Sequence, residues 1–228
     1  MKISKQALRG QVYEKLHEMI ENRRFSPGER INVEKLTEEL GVSRTPVWQA
    51  VGLLEKEGIL VYNPYKGVFI NKLTEKQAIE LYSVRETLEC MAAELAVQKI
   101  TAQTLDRMKQ NLESQKDVVC DSKNLIEYSK LDFLFHSEVY NASGNEYLIE
   151  LLATVKNKMR PLVDHLDSIL PELYSDHLEA YNALLERNTE RAREAFRRHN
   201  ERMKSLILLN KNDLNELFPE KLTEGVAT

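Results

Sequence analysis

The sequence predicts a mainly α-helical protein with one small β-hairpin near its N-terminal end. Apolar residues recur at helical spacings of three and four over most of the 228 residues. Leu, Glu, Lys and Ala are abundant, whereas glycine occurs only eight times, which favours helices over strands. Two runs typical of strands lie close together, at 59–62 and 68–70. We therefore expect a small N-terminal domain followed by a larger helical bundle.

Three helices are expected before the hairpin. Apolar residues at every fourth position, from Leu8 to Ile20, predict a helix over about residues 5–24. Asn32 is a suitable N-cap for a second helix that ends near Leu40. A third helix follows and continues to Gly58.

The turn between the second and third helices, GVSRTPVWQA, has the composition of a helix-turn-helix motif. Gly41 suits the left-handed position after a helix, Ser43 or Thr45 can cap the next helix, and Pro46 fits its first turn. A cation such as Arg44 at the N-terminus of a helix is slightly unfavourable because of the helix dipole. Contact with a phosphate or a guanine of DNA therefore explains the position of Arg44 better than solvation does. A small, polar, cationic tip is what a helix that enters a DNA groove requires.

The two strand-like runs flank the turn NPYKG and therefore predict a hairpin. Three helices and a hairpin make a winged helix-turn-helix, which we place at residues 1–73. At the tip of the wing, Lys66 and Gly67 combine a cation with a backbone that a phosphate can approach closely.

Residues 1–73 carry 12 Lys/Arg against 9 Asp/Glu, and the rest carry 20 against 27. A basic first part suits a nucleic-acid module joined to a different domain.

Residues 74–211 predict an all-α antiparallel bundle of six or seven helices. The bundle opens with TEKQ at 74–77, which has the pattern of a capping box. The expected helices cover about 74–99, 105–119, 123–141, 146–166, 172–185 and 188–210. Pro161 should kink or divide the fourth of them. Residues 212–228 form a polar C-terminal tail, and we expect the part from Pro219 onward to be disordered.

Composition and motifs exclude several classes of protein. No run approaches the roughly 18 apolar residues of a membrane span, and the first ten residues lack the apolar core of a signal peptide. Two cysteines do not make a disulfide framework, so a cytoplasmic location is expected. The sequence has no HExxH, GxSxG or CxxC motif and no Gly-rich phosphate loop.

Histidines in the bundle are candidates for a metal site. Asp132 and His136 are four residues apart and therefore share one helix face. His177 and His199 lie in two later helices, and a bundle can bring such side chains together in its core. Three imidazoles and one carboxylate suit zinc, nickel or manganese. The spacing alone favours a surface ion pair and single histidines on polar helix faces over a metal site.

Two arginines are candidates for holding an anionic ligand. Arg85 lies beside Glu86 and Glu89 in the first bundle helix, and Arg160 directly precedes Pro161. Each has two interpretations, a solvated helix face with local ion pairs or a cation that grips a carboxylate in a bidentate fork.

Both domains resemble a known family. The stretch from PGERINVEKL through SRTPVWQAVGLLEKEGIL to the wing resembles the DNA-binding domain of the GntR family of bacterial transcription regulators. LYSVRETLECMAAELA, LDFLFHSEVYNASGN and SDHLEAYNALLERNTERAREAFRRHNERM resemble the helices of its FadR-type, FCD-class effector domain. The resemblance covers about residues 8–210. It implies that a divalent metal binds through Asp132, His136, His177 and His199, and that Arg85 holds an effector.

One departure from the family pattern concerns the DNA-reading helix. The family usually has Arg followed by Glu or Asp where this chain has Trp48 and Gln49, so we expect DNA binding with a different preferred sequence. The predicted DNA-contacting residues are Ser43, Arg44, Thr45, Pro46, Trp48, Gln49, Lys66 and Gly67.

The resemblance implies a regulator, most simply a repressor of a metabolic operon, that binds a palindromic operator as a homodimer. A small organic acid would bind the metal together with Arg85 and Arg160 and control DNA binding. Two alternatives remain open at this point. The metal site could belong to a hydrolase or lyase, since such a site can activate water, or the metal could be purely structural.

Overall fold

A computed structural model describes residues 5–122, 124–159 and 169–209. It confirms the predicted fold class, since the chain is mainly helical with one small sheet. The chain divides between Lys72 and Leu73 into an N-terminal and a C-terminal unit. The N-terminal unit contains α1 (Lys5–Glu21), β1 (Arg30–Ile31), α2 (Val33–Leu40), α3 (Arg44–Lys56), β2 (Leu60–Asn63) and β3 (Gly67–Ile70).

The sheet has one more strand than the predicted hairpin. Strand β3 pairs antiparallel with β2 on one side and with β1 on the other, where Arg30 faces Phe69. A two-residue strand has no periodicity from which it could be recognised.

Helix α1 also ends earlier than expected, at Glu21, and Arg23 adopts a positive φ of 53° two residues after this end.

Local capping explains where the short helices begin and end. The side chain of Asn32 accepts a hydrogen bond from the backbone N–H of Lys35 at the start of α2. Gly41 ends α2 in the left-handed conformation, with φ 63°, as expected for this position. Ser43 occupies the N-cap of α3, but its side chain makes no capping hydrogen bond there, which differs from the expectation. Buried Leu16, Val47 and Leu54 hold α1 and α3 together.

The C-terminal unit is a helical bundle. Its helices are α4 (Glu75–Lys99), α5 (Ala102–Asp117), α6 (Leu125–Ser143), α7 (Glu146–Met159), α8 (Leu170–Leu185) and α9 (Thr189–Leu209). A π-helical turn, Val118–Ser122, follows α5. The capping box is present, since Thr74 and Gln77 each cap the other's backbone N–H.

Helix α4 is the central element of the bundle and packs against α6, α7, α8 and α9. Its buried face is lined by Ala92, Ala93 and Ala96, whose small side chains allow neighbouring helices to approach closely. As a result, side chains from several helices meet around the middle of α4.

Some predicted features lie outside the described residues: the break at Pro161, the candidate ligand residue Arg160, and the tail at 212–228. Within the described ranges, none of the helices combines the length and the apolar character that crossing a membrane requires.

Candidate functional site

The four residues proposed as metal ligands converge in the core of the C-terminal unit. Asp132 and His136 lie on α6, His177 on α8 and His199 on α9. One potential ligand atom from each residue lies within 4.8 Å of the other three. All three histidines are buried, and the side chain of Asp132 is 23% exposed. The structure therefore brings together residues that are up to 67 positions apart in the sequence.

The distances between these atoms suit a shared ion. Nε2 of His177 lies 3.2 Å from Nε2 of His136, and Oδ1 of Asp132 lies 3.4 and 3.5 Å from these same two nitrogens. Ligand atoms that each lie about 2.0–2.2 Å from one ion are roughly 3–3.5 Å apart. Three of the four atoms thus already have the separation of ligands around one metal.

His199 provides an independent test of whether a metal fits. Its ring is 3% exposed, yet its Nδ1 has no hydrogen-bond partner among the described residues. A buried polar atom without a partner is costly, and coordination of a metal through Nδ1 itself would remove this cost. The donor set, three imidazoles and one carboxylate, also suits a borderline divalent ion.

Burial keeps the imidazoles in the form that a metal needs. Burial, with a further contribution from the nearby His136, lowers the pKa of His177 to about 3. Burial and the nearby His177 hold the pKa of His199 well below its ordinary value of 6.5. Both rings are therefore neutral near pH 7, and a neutral imidazole has a free lone pair for coordination.

Outer partners hold three of the four candidate ligands. Nδ1 of His136 lies 2.7 Å from Oε1 of Glu89, and Nδ1 of His177 lies 2.8 Å from Oε1 of Gln115. Nζ of Lys156 lies 3.2 Å from Oδ2 of Asp132, the oxygen that does not face the histidines. Such partners orient the ligands of metal sites.

Arg85 lies next to this cluster and not on a solvated face. It is 5% exposed, its Nε donates to Glu89 at 2.9 Å, and its Nη2 lies 3.1 Å from Nε2 of His136. Glu89 also accepts hydrogen bonds from Tyr140 and Asn200. Burial raises the pKa of the Glu89 carboxyl, but Arg85 and His136 outweigh burial and hold this pKa well below 4.5. A buried, charged network therefore borders the candidate metal site.

Gln115 and Lys156 were not predicted from the sequence as site residues. A usable signal exists, because each is a polar residue at a position where helical periodicity predicts an apolar one. Gln115 lies three residues after the buried Leu112 on α5, and Lys156 lies four residues after the buried Leu152 on α7. Burial lowers the pKa of Lys156 to about 8, although Asp132 opposes this shift.

The other predicted site lies at the start of α3. Ser43, Arg44, Thr45 and Gln49 are exposed there, whereas Pro46 is buried and its side chain faces the core. The guanidinium group of Arg44 lies 3.9 Å from Glu34, and both side chains are mostly exposed. This ion pair is loose enough for Arg44 to exchange Glu34 for an anionic partner.

Trp48 connects α3 to the wing. Its ring packs edge-on against Tyr62 of β2, with centroids 5.3 Å apart, and 41% of the residue remains exposed. The wing turn is held by Asn63, whose side chain accepts from the backbone N–H groups of Tyr65 and Lys66. Gly67 has a φ of 104°, which other residues rarely adopt.

Comparisons with known proteins agree with this arrangement. Residues 8–70 match the family model of bacterial regulatory proteins, gntR family, and residues 80–202 match the FCD domain. The HTH-type transcriptional regulator YdhC of Bacillus subtilis is 31% identical over 192 residues, which cover 83% of this chain and 86% of that protein. The HTH-type transcriptional repressor RspR of Escherichia coli is 25% identical over 221 residues, or 95% of this chain and 96% of that protein.

Solved structures share the fold. Escherichia coli McbR/YncC superposes with a TM-score of 0.79 at 24% identity, covering 92% of this chain and all of that chain. A GntR regulator from Rhodococcus sp. RHA1 gives a TM-score of 0.78 at 24% identity, covering 89% of this chain and 98% of that chain. The chain therefore belongs to the GntR family of bacterial transcription regulators, carries an FCD domain, and is a DNA-binding regulator rather than a hydrolase or lyase.

Proposed function

We propose that this regulator represses a metabolic operon and is controlled by a small organic acid bound at a divalent-metal site. Residues 1–73 would bind DNA, and residues 74–211 would bind the metal and the effector. The observation that carries the proposal is the buried convergence of Asp132, His136, His177 and His199 in a chain with an exposed, cationic helix tip. Repression is supported by the relative RspR, which is named a transcriptional repressor.

The charges around the cluster support an anionic effector. Arg85 and Lys156 bring two positive charges, and Glu89 and Asp132 bring two negative charges, so these four side chains balance. A divalent ion held among the ligands would add two positive charges in a buried region, where an unbalanced charge is costly. An organic acid compensates this charge. Zinc, nickel or manganese would supply coordination positions for its carboxylate oxygens.

Arg85 is the side chain best placed to hold the acid. Its Nη2 borders the histidines while its Nε remains paired with Glu89, so the guanidinium group is oriented before any ligand arrives. A fixed guanidinium group loses little entropy when it binds a carboxylate. Arg160 remains a second proposed contact from the sequence alone.

A homodimer is supported by apolar side chains on two helices that pack together. Val84 and Met91 on α4, and Tyr147 and Leu151 on α7, are large, apolar and exposed. A two-fold dimer would place two copies of α3 on half-sites of a palindromic operator about one helical turn apart. Met91→Glu combined with Leu151→Glu should give a monomer in analytical ultracentrifugation.

Operator binding with and without candidate acids tests the proposal. An operator is first selected from random duplex DNA with the full chain loaded with zinc. Its dissociation constant is then measured by fluorescence anisotropy while small carboxylic acids are titrated in. We expect one class of acid to weaken operator binding at least tenfold in wild type and not in His136→Ala/His177→Ala. If no acid changes either DNA affinity or melting temperature, the metal is purely structural and effector control is excluded.

A further inference from the structure

Helix α5 supplies none of the four candidate ligands, yet one of its polar side chains reaches the site. Gln115 is completely buried, and its Oε1 lies 2.8 Å from Nδ1 of His177. This glutamine lies on the same buried helix face as Met108 and Leu112, where an apolar residue would be expected. Burying an amide is unfavourable unless both its oxygen and its nitrogen are hydrogen bonded. The hydrogen-bond partners of Gln115 therefore determine the orientation of its amide.

The orientation of this amide is fixed by a chain of hydrogen bonds that starts at the backbone. The carbonyl of Leu131 on α6 can only accept, so Asn111 must turn its Nδ2 toward it, at 3.0 Å. Oδ1 of Asn111 then faces Gln115, whose Nε2 donates to it at 2.6 Å. Oε1 of Gln115 is left for His177. Reversing any one amide would set two donors or two acceptors against each other.

This chain also fixes the position of a proton on His177. An amide oxygen can only accept, so Nδ1 of a neutral His177 must carry the hydrogen. Nε2 then keeps its lone pair, and this is the nitrogen that lies 3.2 Å from His136 and 3.5 Å from Asp132. The opposite tautomer would place a hydrogen among the ligands and would leave Gln115 without a donor.

We propose that Gln115 and Asn111 are positioning residues that hold His177 in the tautomer and ring orientation that bind the metal through Nε2. The proposal rests on the proposed metal centre. In this proposal α5 connects His177, the ligand on α8, to the backbone carbonyl of Leu131 on α6, and Leu131 directly precedes Asp132. His136 has a carboxylate as its partner, whereas His177 has this neutral amide pair.

Cobalt binding to the full chain tests the proposal, with Co²⁺ itself as the probe. Gln115→Met removes both the acceptor and the donor of the amide at similar length, and Gln110→Met makes the same change on the exposed face of α5. Loss of an outer partner typically weakens metal binding about 10–100-fold. We expect this loss, with a changed visible spectrum, in Gln115→Met, and wild-type behaviour in Gln110→Met.

The outcomes separate this inference from the proposed function. Wild type that binds no Co²⁺ overturns the metal centre itself, and the positioning role with it. Wild-type binding that is unchanged in a folded Gln115→Met chain overturns only the positioning role.

A second measurement does not depend on any variant. The ¹⁵N shifts of the His177 ring in metal-free wild type report which nitrogen carries the hydrogen. We expect a protonated Nδ1 and a bare Nε2. A protonated Nε2 would contradict the hydrogen-bond chain directly.

Discussion

Replacing Glu89 by Gln tests the buried charge network beside the histidines. The side chains of Glu89 and Arg85 are 0% and 6% exposed, and Glu89 accepts from four neighbours: Arg85, His136, Tyr140 and Asn200. Glutamine removes the negative charge. It also turns one of the two accepting oxygens into a donor that faces other donors, so the change removes more than a charge.

The expected loss is large because Arg85 remains buried without its partner. Removing one member of a buried ion pair costs about 3–5 kcal/mol of unfolding free energy. Glu94→Gln on the same helix is the matched control, since Glu94 is 43% exposed and lies 3.7 Å from the exposed Arg193. An exposed pair of this kind contributes less than about 1 kcal/mol.

Urea unfolding of the metal-free chain, followed by far-ultraviolet circular dichroism, measures both variants. Most of the described helical residues belong to the C-terminal unit, so this signal reports mainly on the unit that contains Glu89. A loss below about 1 kcal/mol for Glu89→Gln, equal to that of Glu94→Gln, would refute the view that Arg85 depends on this carboxylate.

Three further predictions concern DNA, a buried hydroxyl and pH. Arg44→Ala should weaken operator binding by about 1–3 kcal/mol in fluorescence anisotropy; Arg107→Ala in the C-terminal unit is the control, and equal affinities would remove Arg44 from the interface. The hydroxyl of Tyr128 is buried without a hydrogen-bond partner among the described residues. Tyr128→Phe should therefore not lower the melting temperature, and a clear drop would reveal a hidden partner. Native His177 and His199 bind fewer protons than the unfolded chain, because their pKa values are lowered. The stability they contribute to the metal-free chain is therefore complete above about pH 6.5 and falls as the pH is lowered below it, for His177 down to about pH 3; unchanged urea midpoints between about pH 7 and 5 would contradict this.

The sequence predicts the helices of the bundle well because their signals are local. The capping box at Thr74 fixes the start of α4, and helical periodicity follows from residue to residue. The spacing of Asp132 and His136 places both on one face of α6 for the same local reason. The short strand β1 has no such signal, because its two residues are ordered only by pairing with β3.

The composition of the site depends on which helices meet, and local patterns do not determine this. Spacing alone favoured a solvated ion pair for Arg85, and only the packing of α4 against α6 shows that Arg85 is buried beside His136. The contacts of Gln115 and Lys156 depend on helix packing in the same way. Each side chain faces a candidate ligand, although its own helix supplies no candidate ligand. The exposed residues at the start of α3 remain the predicted DNA contacts. Trp48 packs on the wing, so its effect on the preferred DNA sequence depends on contacts with DNA itself.

The metal content of the purified protein tests the central claim most directly. The full chain is loaded with zinc, dialysed against metal-free buffer, and analysed by inductively coupled plasma mass spectrometry beside His136→Ala/His177→Ala. We predict one zinc ion per chain in wild type and none in the double variant, with both chains folded by circular dichroism. Full occupancy of the double variant, or a wild-type chain that retains no metal, would contradict the assignment of Asp132, His136, His177 and His199 as a metal centre.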